Sequence, residues 1–267
     1  MIVSQRWLLL EYKDDLLEML YRSGSNPDPY RLFDDTELTP YADHGPLLVN
    51  AAENSAIADD FIARPDDWAG LQIDSSQPLH AVLRHLRHIL FVGFDSERKG
   101  VLRYSNPRTA SYFFPALEEG ELSIWLGPIR RLSWHSATWR ESAAQQAHWY
   151  SRENMSADQW QPLDERSHFH LGKSQTEALQ RQQTEKFLFH WWQQQSQLSF
   201  DQAFAYLEEG MQNGFFAADS LSTYLDIRSV RRGALPPGTL PHGSDEVRLD
   251  HLKTRLERSA TDKESHA

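Results

Sequence analysis

The chain has 267 residues, of which 40% are hydrophobic and 24% charged, and its formal net charge at pH 7 is -11. The negative charge argues against nucleic acid and an anionic membrane surface as partners, because both attract cationic proteins. The absence of cysteine excludes disulfides, thiolate metal sites and cysteine nucleophiles. The apolar run at residues 7–10 is too short for a signal peptide, and no run reaches the ~20 apolar residues of a membrane span. We therefore expect a soluble, cytoplasmic protein.

The first half of the chain alternates between short apolar runs and amphipathic helices. Strands are predicted at residues 6–11, 46–51 and 68–73, with a hairpin joining 91–94 to 101–104. Helices are predicted at about residues 16–21, 54–62, 78–90 and 107–117. Strand–helix alternation that includes a hairpin is typical of an α/β (α+β) lobe with a mixed sheet, which we place at residues 1–133.

The second half of the chain changes character twice. Residues 134–170 keep neither the helical nor the strand period, so we predict an irregular connecting segment with one or two strands. Capping boxes then open helices, formed by Ser174 with Glu177 and by Ser199 with Gln202. Three helices predict a small all-helical lobe at residues 171–233. A Pro/Gly linker, one helix at 247–256 and a partly disordered tail are predicted for residues 234–267.

Motifs for catalysis are missing from the sequence. It contains no Gly-x-Ser-x-Gly elbow, no glycine-rich phosphate loop and no His-Glu-x-x-His. His85 and His88 have an i, i+3 spacing that suits metal chelation, so a metal-dependent hydrolase stays open as an alternative. A regulatory protein that binds a small ligand is a second alternative. Our first expectation is a protein that is not an enzyme and holds no cofactor.

Arginine and tryptophan supply the candidates for protein binding. The arginines are concentrated in the middle of an acidic chain, where they either form ion pairs or receive an acidic partner. Trp191 and Trp192 are adjacent on a predicted helix, so they either cover two surfaces or leave one ring for a partner. The candidate protein-binding residues are Trp139, Trp149, Trp160, Trp191, Trp192, Arg84, Arg130 and Arg131.

Three segments together resemble a known family. They are Gly-Leu-Gln-Ile-Asp-Ser-Ser at 70–76 before Leu-Arg-His-Leu-Arg-His-Ile-Leu at 83–90, then Val-Leu-Arg-Tyr-Ser-Asn-Pro-Arg at 101–108, then Trp-Leu-Gly-Pro-Ile at 125–129. Their order resembles that of the type VI secretion effector adaptors, also called effector chaperones (Tap, Tec or VasW-like proteins). That family has a His-Leu-Arg helix, an Arg-Phe-Tyr-Asp-Pro-Arg strand exit and a Phe-Phe-Gly-Pro turn. Here Asn106 replaces the usual Asp, and the resemblance extends over about residues 7–130.

The resemblance implies an adaptor rather than an enzyme. Such a protein binds a cognate secreted toxin effector in the cytoplasm and helps load it onto the spike protein, VgrG, at the tip of the apparatus. Its partners would be these two proteins, and neither nucleic acid nor a membrane.

We expect the motif residues to be mainly structural. Arg87 and Arg103 are expected to tie helix to hairpin through carboxylates or main-chain carbonyls, and Gly127 to supply a backbone geometry that other residues resist. The binding surface is then expected where the two lobes meet, including Trp191, Trp192 and residues 134–170. The motif residues are Gly70, Ser75, His85, Arg87, Arg103, Pro107, Arg108, Gly127 and Pro128.

Overall fold

The computed structural model describes residues 5–23, 26–93, 98–162, 168–195, 197–231 and 238–264, with the side chains of 259–264 left out. The chain divides into two compact units, which we call the α/β unit (Met1–Gln182) and the helical unit (Gln183–Ala267). Within the described ranges, no helix combines the length and apolar character needed to cross a bilayer.

The α/β unit contains two sheets. Its strands are β1 (Gln5–Leu10), β2 (Tyr30–Arg31), β3 (Leu47–Asn50), β4 (Gly70–Ser75), β5 (Phe91–Gly93), β6 (Lys99–Val101), β7 (Arg131–Ser136), β8 (His148–Glu153) and β9 (Phe169–His170). The larger sheet has the order β2-β3-β1-β4-β7-β8, and all of its pairs are antiparallel. The smaller sheet has the order β6-β5-β9, in which β5 pairs antiparallel with β6 and parallel with β9.

Helices accompany these strands, and every regular element described in the second unit is a helix. They are α1 (Leu16–Ser23), α2 (Ser55–Ala63), α3 (Pro65–Trp68), α4 (Leu79–His88), α5 (Pro107–Phe113), α6 (Glu119–Leu126), α7 (Trp139–Ala143), α8 (Lys173–Trp192), α9 (Phe200–Gln212), α10 (Ala218–Val230) and α11 (Asp245–Glu264). Short 3-10 turns lie at Thr39–His44, Phe114–Ala116 and Ala157–Gln159. The predicted fold class, an α/β region followed by helices, is confirmed.

The central strand β1 explains how the larger sheet is stabilised. Trp7 and Leu9 pack into one core, together with side chains of α4, α5 and α6. Leu8 and Leu10 point to the opposite face, where side chains of α1 and α2 cover them. Because both faces of β1 are buried, its sequence is a continuous apolar run rather than an alternating one. The sheet therefore has a hydrophobic core on each side.

The segment predicted to connect two lobes differs most from the prediction. Residues 134–170 hold the second half of β7 and the whole of β8, which pair over six residues and extend the larger sheet. Trp134 is buried and its ring stacks on that of Tyr150 at 5.2 Å. The sheet therefore continues past residue 133, and the compact α/β unit continues to residue 182.

Smaller differences concern the ends of elements. Trp68 ends the short helix α3 rather than beginning a strand, because Ala69 adopts a left-handed conformation (φ 35°) that stops the helix before β4. Helix α11 runs from residue 245 to 264, beyond the predicted 247–256 and into the predicted tail, since no Gly or Pro interrupts it. The predicted hairpin forms, but its second strand is β6 at residues 99–101 rather than 101–104, so the predicted and observed strands share only Val101. Residues 94–97 of its loop, 234–237 of the predicted linker and 265–267 of the tail lie outside the described residues.

Candidate protein-binding site

The first and third sequence motifs meet where α4 packs against the end of α6. The Ser75 hydroxyl donates to the carbonyl of Pro128 at 2.6 Å. Nε2 of His85 lies 2.9 Å from the carbonyl oxygen of Trp125. A carbonyl only accepts, so this ring nitrogen carries the proton and donates it. Segments about fifty residues apart in the chain are thus joined by buried hydrogen bonds.

Gly127 is required at this junction for two reasons. Its φ of 54° and ψ of -114° are those of the first central residue of a type II′ turn, a conformation that favours glycine. The turn covers residues 126–129 and is closed by the Ile129 amide, which donates to the Leu126 carbonyl at 2.9 Å. A Cβ at residue 127 would lie 2.4 Å from Cε1 of His85. The backbone and the neighbouring ring therefore both exclude a larger side chain.

His85 packs inside the α/β unit. Its side chain is buried, and this desolvation lowers its pKa from 6.5 to about 4, so the ring is neutral at pH 7. Its edges contact Trp160 and Phe169, with ring centroids 5.6 and 6.1 Å away. Across the described ranges, no three His, Asp or Glu side chains are grouped so that they could hold a metal ion. The alternative based on His85 and His88 therefore finds no ligand set among these residues.

Arg87 fastens α4 to the segment after β2. Its guanidinium donates to the carbonyls of Leu32 and Arg31, both at 3.2 Å, and to the carboxylate of Asp35 at 3.0 Å. These acceptors are of the kinds predicted. They lie on the last residue of β2 and in the segment after it, and not on the hairpin, so the expected tie between helix and hairpin is wrong for this residue.

Arg103 instead joins the exit of β6 to the end of β1. Its Nη2 donates to Oε2 of Glu11 at 2.6 Å, and the Ser105 hydroxyl donates to the other oxygen of the same carboxylate. Glu11 is buried although Arg103 is mostly exposed. The second motif therefore neutralises a carboxylate that lies between core residues.

The remaining residues of the second motif begin α5. The side-chain oxygen of Asn106 accepts from the amides of Arg108 and Thr109 at 3.1 and 3.2 Å, so asparagine caps the helix as aspartate would. Pro107 occupies the first helical position, where its missing amide hydrogen costs nothing. The Arg108 guanidinium donates to the Ala137 carbonyl at 3.0 Å and lies 3.9 Å above the ring of Trp139. Trp139 is therefore held inside the unit by this stack.

Two further residues support the packing of the larger sheet and the turn. Gly70 lies where β4 approaches β1 closely, and a Cβ there would be 2.6 Å from the Leu9 carbonyl oxygen. Asn154, which the sequence reasoning missed, is buried and donates from Nδ2 to the Gly127 carbonyl at 2.8 Å. The main-chain amide of Asn154 donates to the Arg130 carbonyl at 2.8 Å. A single asparagine in a polar segment carries no signal that would identify it.

The two adjacent tryptophans of α8 are both used inside the helical unit. Trp191 is 8% exposed, and its Nε1 donates to Asp226 at 2.9 Å. Trp192 is half-buried, and its Nε1 donates to the Leu198 carbonyl at 2.6 Å. Its ring meets that of Phe200 edge-on at 5.6 Å. Of the two explanations predicted, coverage of two surfaces is the one these contacts favour.

Trp149 and two of the candidate arginines lie on β7, β8 and their approach. Trp149 is 40% exposed and meets Phe61 edge-on at 5.8 Å. Arg131 pairs with Glu153, its Nε lying 3.0 Å from Oε1. The Arg130 side chain is exposed and has no ion pair with another described residue. These arginines thus border a surface in which most of the charge is already compensated.

Arg84 and Trp160 border a groove along α4, which we call the α4 groove. Its volume is about 330 Å³, and its lining includes Asp35, Glu37, Arg84, Arg87, Phe91 and Trp160. Asp35 accepts from Arg87 and Glu37 from Lys99, so both carboxylates are compensated. The Arg84 side chain is exposed and makes no hydrogen bond or ion pair with any other residue that the structure describes. The groove therefore offers one available cation beside two half-buried aromatic rings.

Comparison with known proteins gives one match. Residues 7–123 match the family model described as "Domain of unknown function (DUF4123)". The match covers a little under half of the chain and contains the first two motifs, but it ends before Gly127. Of the residues lining the α4 groove, all except Trp160 and Pro162 lie within it. Neither the curated proteins nor the solved structures yield a match.

Proposed function

We propose that this protein is a non-enzymatic adaptor of type VI secretion, which binds a cognate toxin effector in the cytoplasm and helps load it onto the spike protein. The observation that carries the proposal is the match over residues 7–123 to a family associated with effector adaptors. The matched range nearly coincides with the region in which the sequence motifs resemble that family.

The contacts of the motif residues support separate roles for residues that maintain the fold and residues that bind a partner. His85, Arg87 and Arg103 are engaged in bonds within the α/β unit, so their side chains maintain the fold. Recognition then falls to surface residues such as Arg84 and Trp160 of the α4 groove. Arginine and tryptophan are the residue types most enriched where binding energy is concentrated. A partner segment with an apolar side chain and a carboxylate fits this groove.

Co-expression with the products of adjacent genes tests the adaptor role. The full chain is purified by affinity, and its complexes are separated by size-exclusion chromatography. We expect a stable complex with a large neighbouring protein that is soluble only when this chain is present. A spike protein should capture that effector only in the presence of the adaptor. A well-folded chain that binds no neighbouring product would overturn the proposal.

Variants of the α4 groove test where the effector binds. Arg84→Glu and Trp160→Ala should each weaken the complex by about tenfold or more, as expected for central interface residues. Arg22→Glu is the control for charge reversal on a helix outside the groove, and the ion pair with Glu18 that it removes is exposed and contributes little to stability. Loss of the complex in the control to the same extent would show that the α4 groove is not the contact. Circular dichroism checks that every variant is folded.

A further inference from the structure

A groove between α10 and α11 remains open after the helical unit has packed its own core. Helix α10 buries Leu221, Tyr224 and Leu225 on its inner side. Its outer stripe contains Ile227, which lines the groove together with Val247 and Leu249 of α11. Val247 is 52% exposed. We call this the α10–α11 groove, and its volume is about 760 Å³.

The apolar floor continues along α10 beyond the groove. Val230 lies three residues after Ile227, so the two side chains share one face of the helix. Val230 is 71% exposed. The half-buried Ile227 and the exposed Val230 thus extend the apolar surface past the groove, and exposed apolar surface of this kind is a feature of sites that another element covers.

The rim of the groove is acidic. Asp219 of α10 and Glu246 and Asp250 of α11 line it, against the single cation Lys253. None of the three carboxylates forms a hydrogen bond or an ion pair with another side chain in the described part of the helical unit. By contrast, the carboxylate of Glu209 in the same unit is compensated by Arg228, whose Nε lies 2.7 Å from Oε1. An occupant of this groove therefore has to bring positive charge as well as an apolar face.

We propose that the α10–α11 groove binds a basic amphipathic helix from a protein partner. The groove follows α10 from residue 219 to 227, which is roughly 12 Å or two helical turns. A helix with apolar side chains at i, i+3 or i+4, and i+7 spans that length, and its ridges fit between those of two packed helices. Lysines or arginines flanking that stripe then meet the three carboxylates. This inference rests on the helical unit alone and does not depend on the adaptor role.

A designed peptide is the probe, because the natural partner is unidentified. It is a fluorescein-labelled helix of about 18 residues built from leucine, lysine and alanine, with leucine at the spacing given above. A peptide of scrambled order and one with glutamate in place of lysine are its controls. Fluorescence anisotropy with the full chain measures affinity, and hydrogen exchange locates the protected amides. We expect the ordered lysine peptide alone to bind, with protection confined to α10 and α11.

Matched variants separate the groove from general negative charge. The triple variant Asp219→Asn, Glu246→Gln, Asp250→Asn should bind the peptide at least about tenfold more weakly. The control triple Glu53→Gln, Asp59→Asn, Glu208→Gln removes the same charge from exposed positions outside the groove and should bind as the natural chain does. Val247→Ser should also weaken binding, because it removes apolar floor without changing charge.

Several results would overturn the proposal. The natural chain would fail to bind the lysine peptide, or the control triple would lose as much affinity as the groove triple. Protection in the α/β unit would place the peptide elsewhere. A dimer of the chain that disappears in the groove triple would identify a second copy as the occupant instead. Capture of the effector by the same variants is measured separately. If the peptide fails to bind but the effector is still captured, the proposal for the α10–α11 groove fails and the adaptor role stands.

Discussion

Replacing Gly127 with alanine tests whether the packing of this residue on His85 holds the α/β unit together. The turn conformation at residue 127 (φ 54°, ψ -114°) costs a residue with a Cβ about 1–3 kcal/mol. The new methyl group would also lie 2.4 Å from Cε1 of His85. That ring cannot retreat without losing its hydrogen bond to Trp125, and overpacking of this kind costs about 1–3 kcal/mol. Together these terms predict a loss of about 2–6 kcal/mol in the free energy of unfolding.

A double-mutant cycle separates the two terms of the Gly127→Ala prediction. In a His85→Ala background the colliding ring is absent, so Gly127→Ala should cost only its backbone strain. The coupling energy between the two sites should then be about 1–3 kcal/mol. Urea unfolding followed by tryptophan fluorescence measures it, since seven of the nine tryptophans lie in the α/β unit. A Gly127→Ala cost below about 1 kcal/mol, or an equal cost in both backgrounds, would show that the His85 ring does not restrict residue 127.

Three further predictions concern stability. Burial lowers the pKa of His85 from 6.5 to about 4 in the folded chain. Between these two pH values the unfolded chain binds a proton that the folded chain does not, so the contribution of neutral His85 to folding stability is complete above pH 6.5 and is lost as the pH falls towards 4. Relative to His85→Gln, the natural chain should lose about 3 kcal/mol more between pH 7 and pH 4 in urea titrations. Asn154→Ala should lose about 2 kcal/mol, because the Gly127 carbonyl keeps no side-chain donor there; an unchanged urea midpoint would contradict this. Trp191→Phe should lower the free energy of unfolding by about 1 kcal/mol, because it removes the hydrogen bond to Asp226, and Trp191→Ala should lower it by about 3–5 kcal/mol, because it also leaves a cavity. An alanine variant with the thermal stability of the natural chain would show that Trp191 is not part of the core.

The elements that the sequence predicts well are those in which burial follows a short period. The continuous apolar run of β1 indicates a strand buried on both faces, and the leucine stripe of α4 indicates a helix packed along one side. β7 alternates weakly, with Leu132 and Trp134 buried, but β8 lacks any such signal, because its aromatic residues Trp149 and Tyr150 are adjacent and none of its six residues is buried. Their pairing depends on contacts between strands, which one strand's composition does not express.

Single residues of the site are also predictable only where their contacts are close in the sequence. That Gly127 and Pro128 form a turn is evident from their identity, but the ring that lies over the turn is His85, more than forty positions earlier. Asn154 reaches the same turn from twenty-seven positions later. Capping residues such as Asn106 are predictable, since their hydrogen bonds are made two and three residues away. What the sequence leaves out is the pairing of distant polar groups.

The net charge of the chain does not show which charged side chains are available to a partner, because some of them pair with one another in the folded protein. The chain as a whole carries -11, a value that favours cationic partners. In the α/β unit, however, Arg87 and Arg103 form hydrogen bonds within the unit, while Arg84 lines the α4 groove without a described partner. In the helical unit the uncompensated groups of the α10–α11 groove are carboxylates. On the two proposals made above, we expect the grooves to bind partner segments of opposite charge, a distinction that follows from which charges remain after folding and not from their total.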